Sequence, residues 1–220
     1  MQNVRMVFAK EGRAAFISHL DLIRCISRAM SRANLPVYYT QGFNPQPYLV
    51  FSPPLSLGYI GEAEICDFSV TDDAMSLDEV LARLTAAMPQ GVRPISCKAP
   101  VHKLGAIAWA EYRIELCLTE DAAKWKEAVR SCLTQQELKI LKKSKRGERE
   151  VNLTELIDQL EIEENGENTV ILRCRLPLTG ENSLNPRYVI EVLRQIGDFP
   201  LQDETVIRTQ FLLEDKTPFC

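Results

Sequence analysis

Several polar side chains that could bind a ligand or transfer a proton lie close together in sequence around residue 20. Ser18 is a favourable helix N-cap, and Asp21 follows three residues later, where a carboxylate can return the capping bond. His19 lies between them, and its imidazole titrates near neutral pH, as a general acid or base requires. In the first turn of a helix these side chains point in different directions. The spacing therefore leaves three roles open: catalysis, ligand binding and a structural cap.

A second polar cluster is a turn of glycine, aromatic, asparagine and proline residues that follows a predicted strand. Turns of this composition usually present side chains and backbone N–H groups instead of burying them. We therefore predict that this turn and the residues around position 20 form one binding site. The turn residues are Gln41, Gly42, Phe43, Asn44 and Pro45.

Arginines recur every four residues at positions 24, 28 and 32, which places Arg24, Arg28 and Arg32 on one side of a helix. Guanidinium groups spaced in this way can meet successive phosphates. Residues 1–61 carry a local charge of +4 in a chain whose net charge is −4. This excess favours RNA as a ligand, and the alternative is an ordinary solvated helix face. Nearby aromatic residues have two possible roles: they stack on bases, or they pack in the core as strand residues. These residues are Tyr38, Tyr39, Phe43, Tyr48 and Phe51.

The elements that must position these residues follow the order strand, helix, strand, strand, helix, strand in each half of the chain. This order predicts an α+β protein of two tandem ferredoxin-like (βαββαβ) halves, at 1–104 and 105–220. The first half has predicted strands at 3–9, 37–40 with 48–51, 64–70 and 91–97, and helices at 19–34 and 77–88. The second has predicted strands at 112–118, 138–141, 170–176 and 205–213, and helices at 122–133 and 186–196. Its insertion contains a basic segment at 139–149, a helix at 153–160 and an acidic turn at 161–167.

Composition argues against metal and cofactor chemistry. The seven cysteines are scattered without a CxxC pair, and there are only two histidines, so we predict reduced buried thiols, no metal site and no cofactor. Walker, dinucleotide-glycine, HExxH and GxSxG motifs are all missing from the sequence. No apolar run approaches the roughly 20 residues of a membrane helix, and the N-terminus lacks the apolar core of a signal peptide. These observations predict a cytoplasmic protein with no membrane partner and no evident catalytic residues.

The N-terminal segment resembles the start of the radical SAM-linked protein family, a bacterial domain of unknown function. Members of that family occur alone or joined to a radical SAM enzyme domain, so the resemblance implies a partner or substrate-presenting role. The chain has no CxxxCxxC triad to hold a radical SAM iron–sulfur cluster. The resemblance rests on Phe16, Ser18, His19, Leu20, Asp21, Arg24, Arg28, Ala29, Leu35-Pro36, Gly42-Phe43-Asn44-Pro45, Pro47 and Leu57-Gly58.

Together these arguments predict a non-catalytic accessory module that binds RNA or presents a substrate to a radical SAM or other RNA-modifying enzyme. Its expected binding residues are those of the helix start, the arginine stripe and the turn. One alternative is a metal-independent ribonuclease-like enzyme that uses His19, because imidazole titrates near neutral pH. The tandem layout also resembles that of repeat-associated RNA-processing proteins, but this likeness is one of architecture and assigns no catalytic role to His19. The other alternative is a protein-interaction adaptor that does not bind nucleic acid.

Overall fold

A computed structural model describes residues 1–135, 137–144, 147–196 and 199–220. Lys145 and Arg146, which belong to the predicted basic segment, lie outside the described residues. The chain divides into two compact units: an N-terminal unit of Met1–Ile107 with Pro218–Cys220, and a C-terminal unit of Ala108–Thr217. Within the described residues the architecture is mixed α/β, with four α-helices and ten strands. Division into two domains at 104/105 remains a prediction.

The N-terminal unit is built on an antiparallel sheet in which β1 is central. Strand β1 pairs with β4 on one side and with β3 on the other, and β3 also pairs with the short β2. Helix residues such as Leu22 and Leu84 pack against alternate β1 residues such as Met6 and Phe8 in one buried cluster. The elements are β1 Gln2–Lys10, α1 His19–Arg32, β2 Val50–Phe51, β3 Ile60–Val70, α2 Leu77–Ala87 and β4 Val92–Lys98.

Helix α1 begins where the sequence predicts it and ends slightly earlier. The predicted N-cap is confirmed, because Ser18 has extended backbone and its side chain accepts a hydrogen bond from the backbone N–H of Asp21. The helix ends at Arg32, two residues before the predicted end at Asn34. Asn34 has a φ of 51°, a left-handed conformation that cannot continue an α-helix.

The chain between α1 and β3 forms less strand than the sequence predicts. Of the predicted strands at 37–40 and 48–51, the structure has only the two-residue β2 and two isolated bridges, Val37 with Val70 and Tyr39 with Pro47. The intervening chain turns aside from the sheet edge, so its backbone pairs with itself. A backbone hydrogen bond from Tyr48 N to Tyr38 O at 2.9 Å is part of that pairing.

The main strands of the C-terminal unit pair antiparallel in the order β10-β5-β9-β8. Strands β6 and β7 form a separate hairpin between α3 and β8. The elements are β5 Trp109–Leu118, α3 Ala122–Leu133, β6 Lys139–Ser144, β7 Gly147–Asn152, β8 Asp158–Glu164, β9 Thr169–Pro177, α4 Arg187–Ile196 and β10 Leu201–Leu212.

Two sequence predictions for the insertion are wrong. The segment 153–160 is a short turn followed by the start of β8, not a helix, and most of the predicted acidic turn 161–167 belongs to the same strand. Ile162 is buried in β8, and Glu161 beside it stands opposite Arg173 of β9. Arg173 donates to Glu163 at 2.8 Å across the β8–β9 pair. Alternation and cross-strand charge pairing therefore stabilise a strand here.

Both units contain the βαββαβ element order, with the β6–β7 hairpin as an addition in the second. The ferredoxin-like assignment of the two halves stays a prediction. Among the described residues, no helix has both the length and the apolar character needed to cross a membrane.

Two leucines on α1 provide a matched test of the N-terminal core. Leu22 is 5% exposed and packs in the core, whereas Leu20, two residues earlier, is 64% exposed. We expect Leu22→Ala to reduce the free energy of unfolding by about 2–5 kcal/mol, because a cavity replaces buried methyl groups. Leu20→Ala is expected to change it by no more than about 0.5 kcal/mol. Urea denaturation of both variants measures the difference, and equal losses would contradict this packing.

Candidate nucleic-acid interface

The start of α1 is held by a closed set of polar contacts. Ser18 donates its hydroxyl to Asp21 Oδ2 at 2.7 Å and accepts the backbone N–H of Asp21 at 3.1 Å. Arg24 Nη1 donates to the other carboxylate oxygen at 3.0 Å. The Ser18 hydroxyl, followed by Arg24, holds the pKa of Asp21 below its ordinary value. Asp21 is therefore an ionised group that fixes the helix start.

His19 occupies the first position of α1 and is partly buried. Its ring meets Phe51 edge-on, with 5.4 Å between the ring centroids. Burial lowers the pKa of His19, the charge of Glu64 raises it, and Lys10 lowers it. The imidazole is therefore mainly neutral at pH 7, so it can accept or donate a hydrogen bond.

Two buried charged residues lie on the helix-facing side of the sheet near His19. Lys10 is 3% exposed and Glu64 is 4% exposed. Lys10 Nζ donates to the carbonyl oxygen of Ala15 at 3.1 Å, in the 3₁₀ turn Gly12–Phe16 that precedes α1. The Glu64 side chain lies so close to Gly61 that a Cβ there would be 2.5 Å from Glu64 Cγ.

Sequence reasoning missed Lys10 and Glu64 as site residues. One signal was available for Lys10: it follows Val4, Met6 and Phe8 at strand spacing, so a cation occupies a position that alternation assigns to the buried face. Glu64 gives the same signal, because it precedes Cys66, Phe68 and Val70 at strand spacing. In the pairing of β3 with β1, Glu64 stands opposite Phe8, and Gly61 stands opposite Lys10.

The three arginines of the predicted stripe differ in their contacts. Arg24 is paired with Asp21, and Arg32 Nη2 donates to the carbonyl oxygen of Ala87 at the end of α2, at 2.8 Å. Arg28 is exposed and has no ion pair or hydrogen bond to any described residue. An exposed ion pair such as Arg24–Asp21 contributes little and still leaves a guanidinium accessible to a ligand. Arg24 and Arg28 are therefore the accessible members of the stripe.

The predicted turn is a protruding hairpin whose five residues are exposed. Thr40 and Gln46 close its base, with a backbone hydrogen bond of 2.8 Å from Thr40 N to Gln46 O. Gln46 Nε2 donates to Asn44 Oδ1 at 3.2 Å across the turn. Gly42 has a φ of 135°, a conformation that favours glycine, and the Phe43 side chain is fully exposed.

The turn and the helix start lie at different levels of β3. His19 contacts Phe51, which pairs with Cys66, whereas the chain leaves the sheet edge for the turn at Tyr38, which donates its N–H to Ser69. Three strand residues separate these levels, a distance of roughly 10 Å. The structure brings Ser18, His19 and Asp21 together at the start of α1, and residues 41–45 form the exposed tip of the hairpin. The expectation that both clusters form one binding site stays a prediction.

Exposed apolar side chains surround the helix start. Phe16 is 73% exposed, Leu20 is 64% exposed and Leu57 is 62% exposed. A Cβ placed on Gly58 would lie 3.5 Å from the ring of Phe16, so Phe16 and the chain next to Leu57 are close neighbours. Exposed apolar groups that lie together are typical of interaction surfaces.

Comparison with family models identifies the family of this chain. The model described as "Uncharacterized protein conserved in bacteria (DUF2344)" matches residues 3–186. The chain belongs to this family. That match contains no link to radical SAM enzymes, so this part of the resemblance stays a proposal. No curated protein matches the sequence. The described residues contain no group of three or more His, Cys, Asp or Glu side chains suited to hold a metal ion.

Solved structures show only weak likeness. An H/ACA RNP bound to a substrate RNA containing 2′-deoxyuridine is 12% identical, with a TM-score of 0.49 over 95% of this chain and 47% of that one. A Cbf5–Nop10–Gar1 complex is 12% identical, with a TM-score of 0.48 over 94% of this chain and 48% of that one. An unknown protein from Galdieria sulphuraria is 15% identical, with a TM-score of 0.25 over 94% and 98%. The chain thus spans about half the length of the first two.

The pKa of His19 tests the geometry around it. We expect its imidazole to titrate below the ordinary value, and Glu64→Gln to lower the pKa further, because the substitution removes a charge that favours the imidazolium. NMR titration of the imidazole protons, in a His102→Gln background that leaves one signal, measures both. Glu62→Gln, at an exposed position of the same strand, is the matched control and is expected to leave the midpoint in place. A larger effect of Glu62→Gln than of Glu64→Gln would contradict the structure.

The same shift fixes the sign of a pH effect on stability. Because the folded state binds the His19 proton less tightly than the unfolded chain, this group lowers stability as the pH falls through about 6.5. The contribution is absent at higher pH, where the imidazole is neutral in both states. The urea midpoint of His19→Gln, relative to that of wild type, is therefore expected to be higher at pH 5.5 than at pH 8.

Proposed function

We propose that the N-terminal unit binds single-stranded RNA and serves as an accessory module that presents RNA to a modifying enzyme. One observation carries the proposal: fully or largely exposed aromatic rings stand in the same unit as arginines that have no protein partner. Phe43 and Phe16 are the rings, and Arg13 and Arg28 are the cations without a partner among the described residues. Proteins that bind single-stranded nucleic acid combine these two features, a cationic path for the backbone and aromatic faces on which bases stack.

The arrangement divides the work of binding between two contact points. Arg24 and Arg28 on α1 contact phosphates, and Phe16 beside the helix start offers a face to a base. The turn around Phe43 contacts a second base farther along the strand. Stacking of this kind is tolerant of sequence, and the phosphate contacts make the affinity depend on salt.

The identity of the enzyme partner follows from the family resemblance. A radical SAM enzyme is the proposed partner, because related chains occur joined to such a domain. We further propose that both units are ferredoxin-like, on the support of their shared βαββαβ order. The antiparallel orders β4-β1-β3-β2 and β10-β5-β9-β8 are equivalent when the β6–β7 hairpin is set aside.

A second candidate function is a metal-independent ribonuclease that uses His19. The observation in its favour is the neutral imidazole beside the buried Lys10 and Glu64, since perturbed titratable groups gather at catalytic sites. A neutral imidazole can act as a general base on a ribose 2′-hydroxyl. Lys10 already donates to the carbonyl oxygens of Ala15 and Ile17, which is a structural use of its ammonium group. Binding therefore remains the first proposal and cleavage the second.

The arginine pair tests RNA binding directly. Arg24→Gln with Arg28→Gln is expected to weaken binding of a fluorescent single-stranded RNA of about 12 nucleotides at least about fivefold at low salt, because two phosphate contacts are lost. Lys124→Gln with Arg130→Gln removes the same charge from exposed positions of α3 and is the matched control, with no more than about a twofold effect expected. Anisotropy titration measures both.

Three results of that titration are decisive. Loss of affinity in the α1 variant alone supports the proposal. Equal loss in both variants reduces binding to a general charge effect, and absence of RNA binding by the wild type favours the adaptor interpretation. Circular dichroism melts verify that each variant folds. Glutamine is the replacement because it is a good helix former.

Cleavage has its own test. If His19 is a general base, His19→Gln should reduce the rate of RNA cleavage by about 10²-fold or more while affinity changes little. If His19 is a binding group, affinity falls instead, and Asn44→Ala in the turn also weakens binding. We expect the second result, with intact RNA after prolonged incubation with wild-type protein on a denaturing gel.

A further inference from the structure

A cavity of about 250 Å³ opens on the N-terminal unit. It lies on the face of β1 and β3 opposite to the face that packs against the helices. Its position is distinct from the helix start, because it is lined by the outward-facing Asn3 and Asp67 together with the chain that follows β4. The walls are Tyr48, Val50 and Val101, and Lys103 stands at the rim.

The carboxylate at the floor of this cavity is held rigidly. Arg5 donates Nε to Asp67 Oδ1 at 2.8 Å and Nη2 to Oδ2 at 2.7 Å. Arg5 is only 3% exposed, its Nη2 also donates to the carbonyl oxygen of His102 at 2.7 Å, and its guanidinium lies 4.5 Å from the ring centre of Phe219. Each carboxylate oxygen has two lone pairs, and the bidentate contact uses one on each. Asp67 therefore retains acceptor capacity in a fixed orientation.

The walls of the cavity are apolar and open to solvent. Tyr48 is 51% exposed, Val50 is 39% exposed and Val101 is 85% exposed. An aromatic ring and two branched aliphatic side chains suit the faces of a planar heterocycle, which stacks well and is poorly hydrated on its faces. A small-ligand site typically combines an apolar cavity with a few polar groups that converge on it.

The charges around the cavity point to a base carried on a phosphate backbone. The Arg5–Asp67 pair is neutral as a whole, so the floor suits a neutral group, while the exposed Lys103 at the rim suits a phosphate. Tyr48 also belongs to the base of the hairpin that carries Phe43, since it pairs with Tyr38. Tyr48 therefore connects the base of this hairpin with the wall of the cavity.

We propose that this cavity is a nucleobase subsite that selects an amino-bearing base, cytosine, over uracil. The proposal rests on RNA binding by this unit and adds a sequence preference to it. Asp67 accepts a hydrogen bond from the exocyclic amino group at C4 of cytosine, as carboxylates do in base recognition. Uracil presents a carbonyl oxygen at the same position, which the carboxylate repels. The two pyrimidines are nearly equal in size and differ at C4 and at N3, where uracil carries an N–H, so the preference requires that Asp67 meets the group at C4.

The experiment compares binding of octacytidylate and octauridylate by anisotropy at low salt. Wild type is expected to bind octacytidylate at least about fivefold more tightly, the scale of one good base contact. Val50→Trp fills the cavity and is expected to remove this preference. Ile95→Trp is the matched control, because Ile95 is a branched residue on β4 that is 42% exposed and does not line the cavity. The control is expected to keep the preference.

The outcomes separate this subsite from RNA binding itself. Measurable but equal binding of both oligonucleotides by wild type overturns the subsite and leaves the proposed function in place. Failure of wild type to bind either oligonucleotide overturns both. A preference that survives Val50→Trp, in protein that melts as wild type does, also overturns the subsite. Should Val50→Trp unfold, Val101→Trp at the exposed rim gives the same test, with the same expected loss.

Discussion

The register between β1 and β3 determines where the buried charged groups of the N-terminal sheet lie. In this register Arg5 stands opposite Asp67, and Phe8 stands opposite Glu64. Side chains alternate between the two faces of a strand, so a slip of β3 by one residue would turn its side chains to the other face of the sheet. Glu64 would then lose its buried position near the start of α1, and Asp67 would lie on the opposite face from Arg5.

This constraint has an energetic consequence that explains the structure on both faces. A buried ion is costly unless hydrogen bonds and an opposite charge compensate for its lost hydration. Arg5 obtains that compensation from Asp67, from the carbonyl oxygen of His102 and from the ring of Phe219. Lys10 obtains it from carbonyl oxygens of the chain before α1. These contacts of Lys10 hold the chain that leads into α1, so the position of Ser18 and His19 at the helix start depends on the burial of Lys10.

Local signals in the sequence were sufficient for the start of the site. The cap at Ser18 and the periodicity of α1 are properties of neighbouring residues, and both predictions are confirmed. Contacts between distant segments were not predictable. The bond from Arg32 to Ala87 spans 55 residues, and it removes one arginine from a stripe that spacing alone presents as uniform. The acidic turn predicted at 161–167 fails for a related reason, because Arg173 of β9 offers a cross-strand partner to Glu163.

Ultraviolet crosslinking of a single-stranded RNA, followed by mass spectrometry of the attached peptides, locates bound RNA on the chain. If RNA lies along the start of α1 and the turn that carries Phe43, we expect crosslinked peptides within residues 13–51, with Phe16 and Phe43 as attachment points. Crosslinks confined to residues 108–217 would contradict the proposed interface, because they would place the RNA on the C-terminal unit.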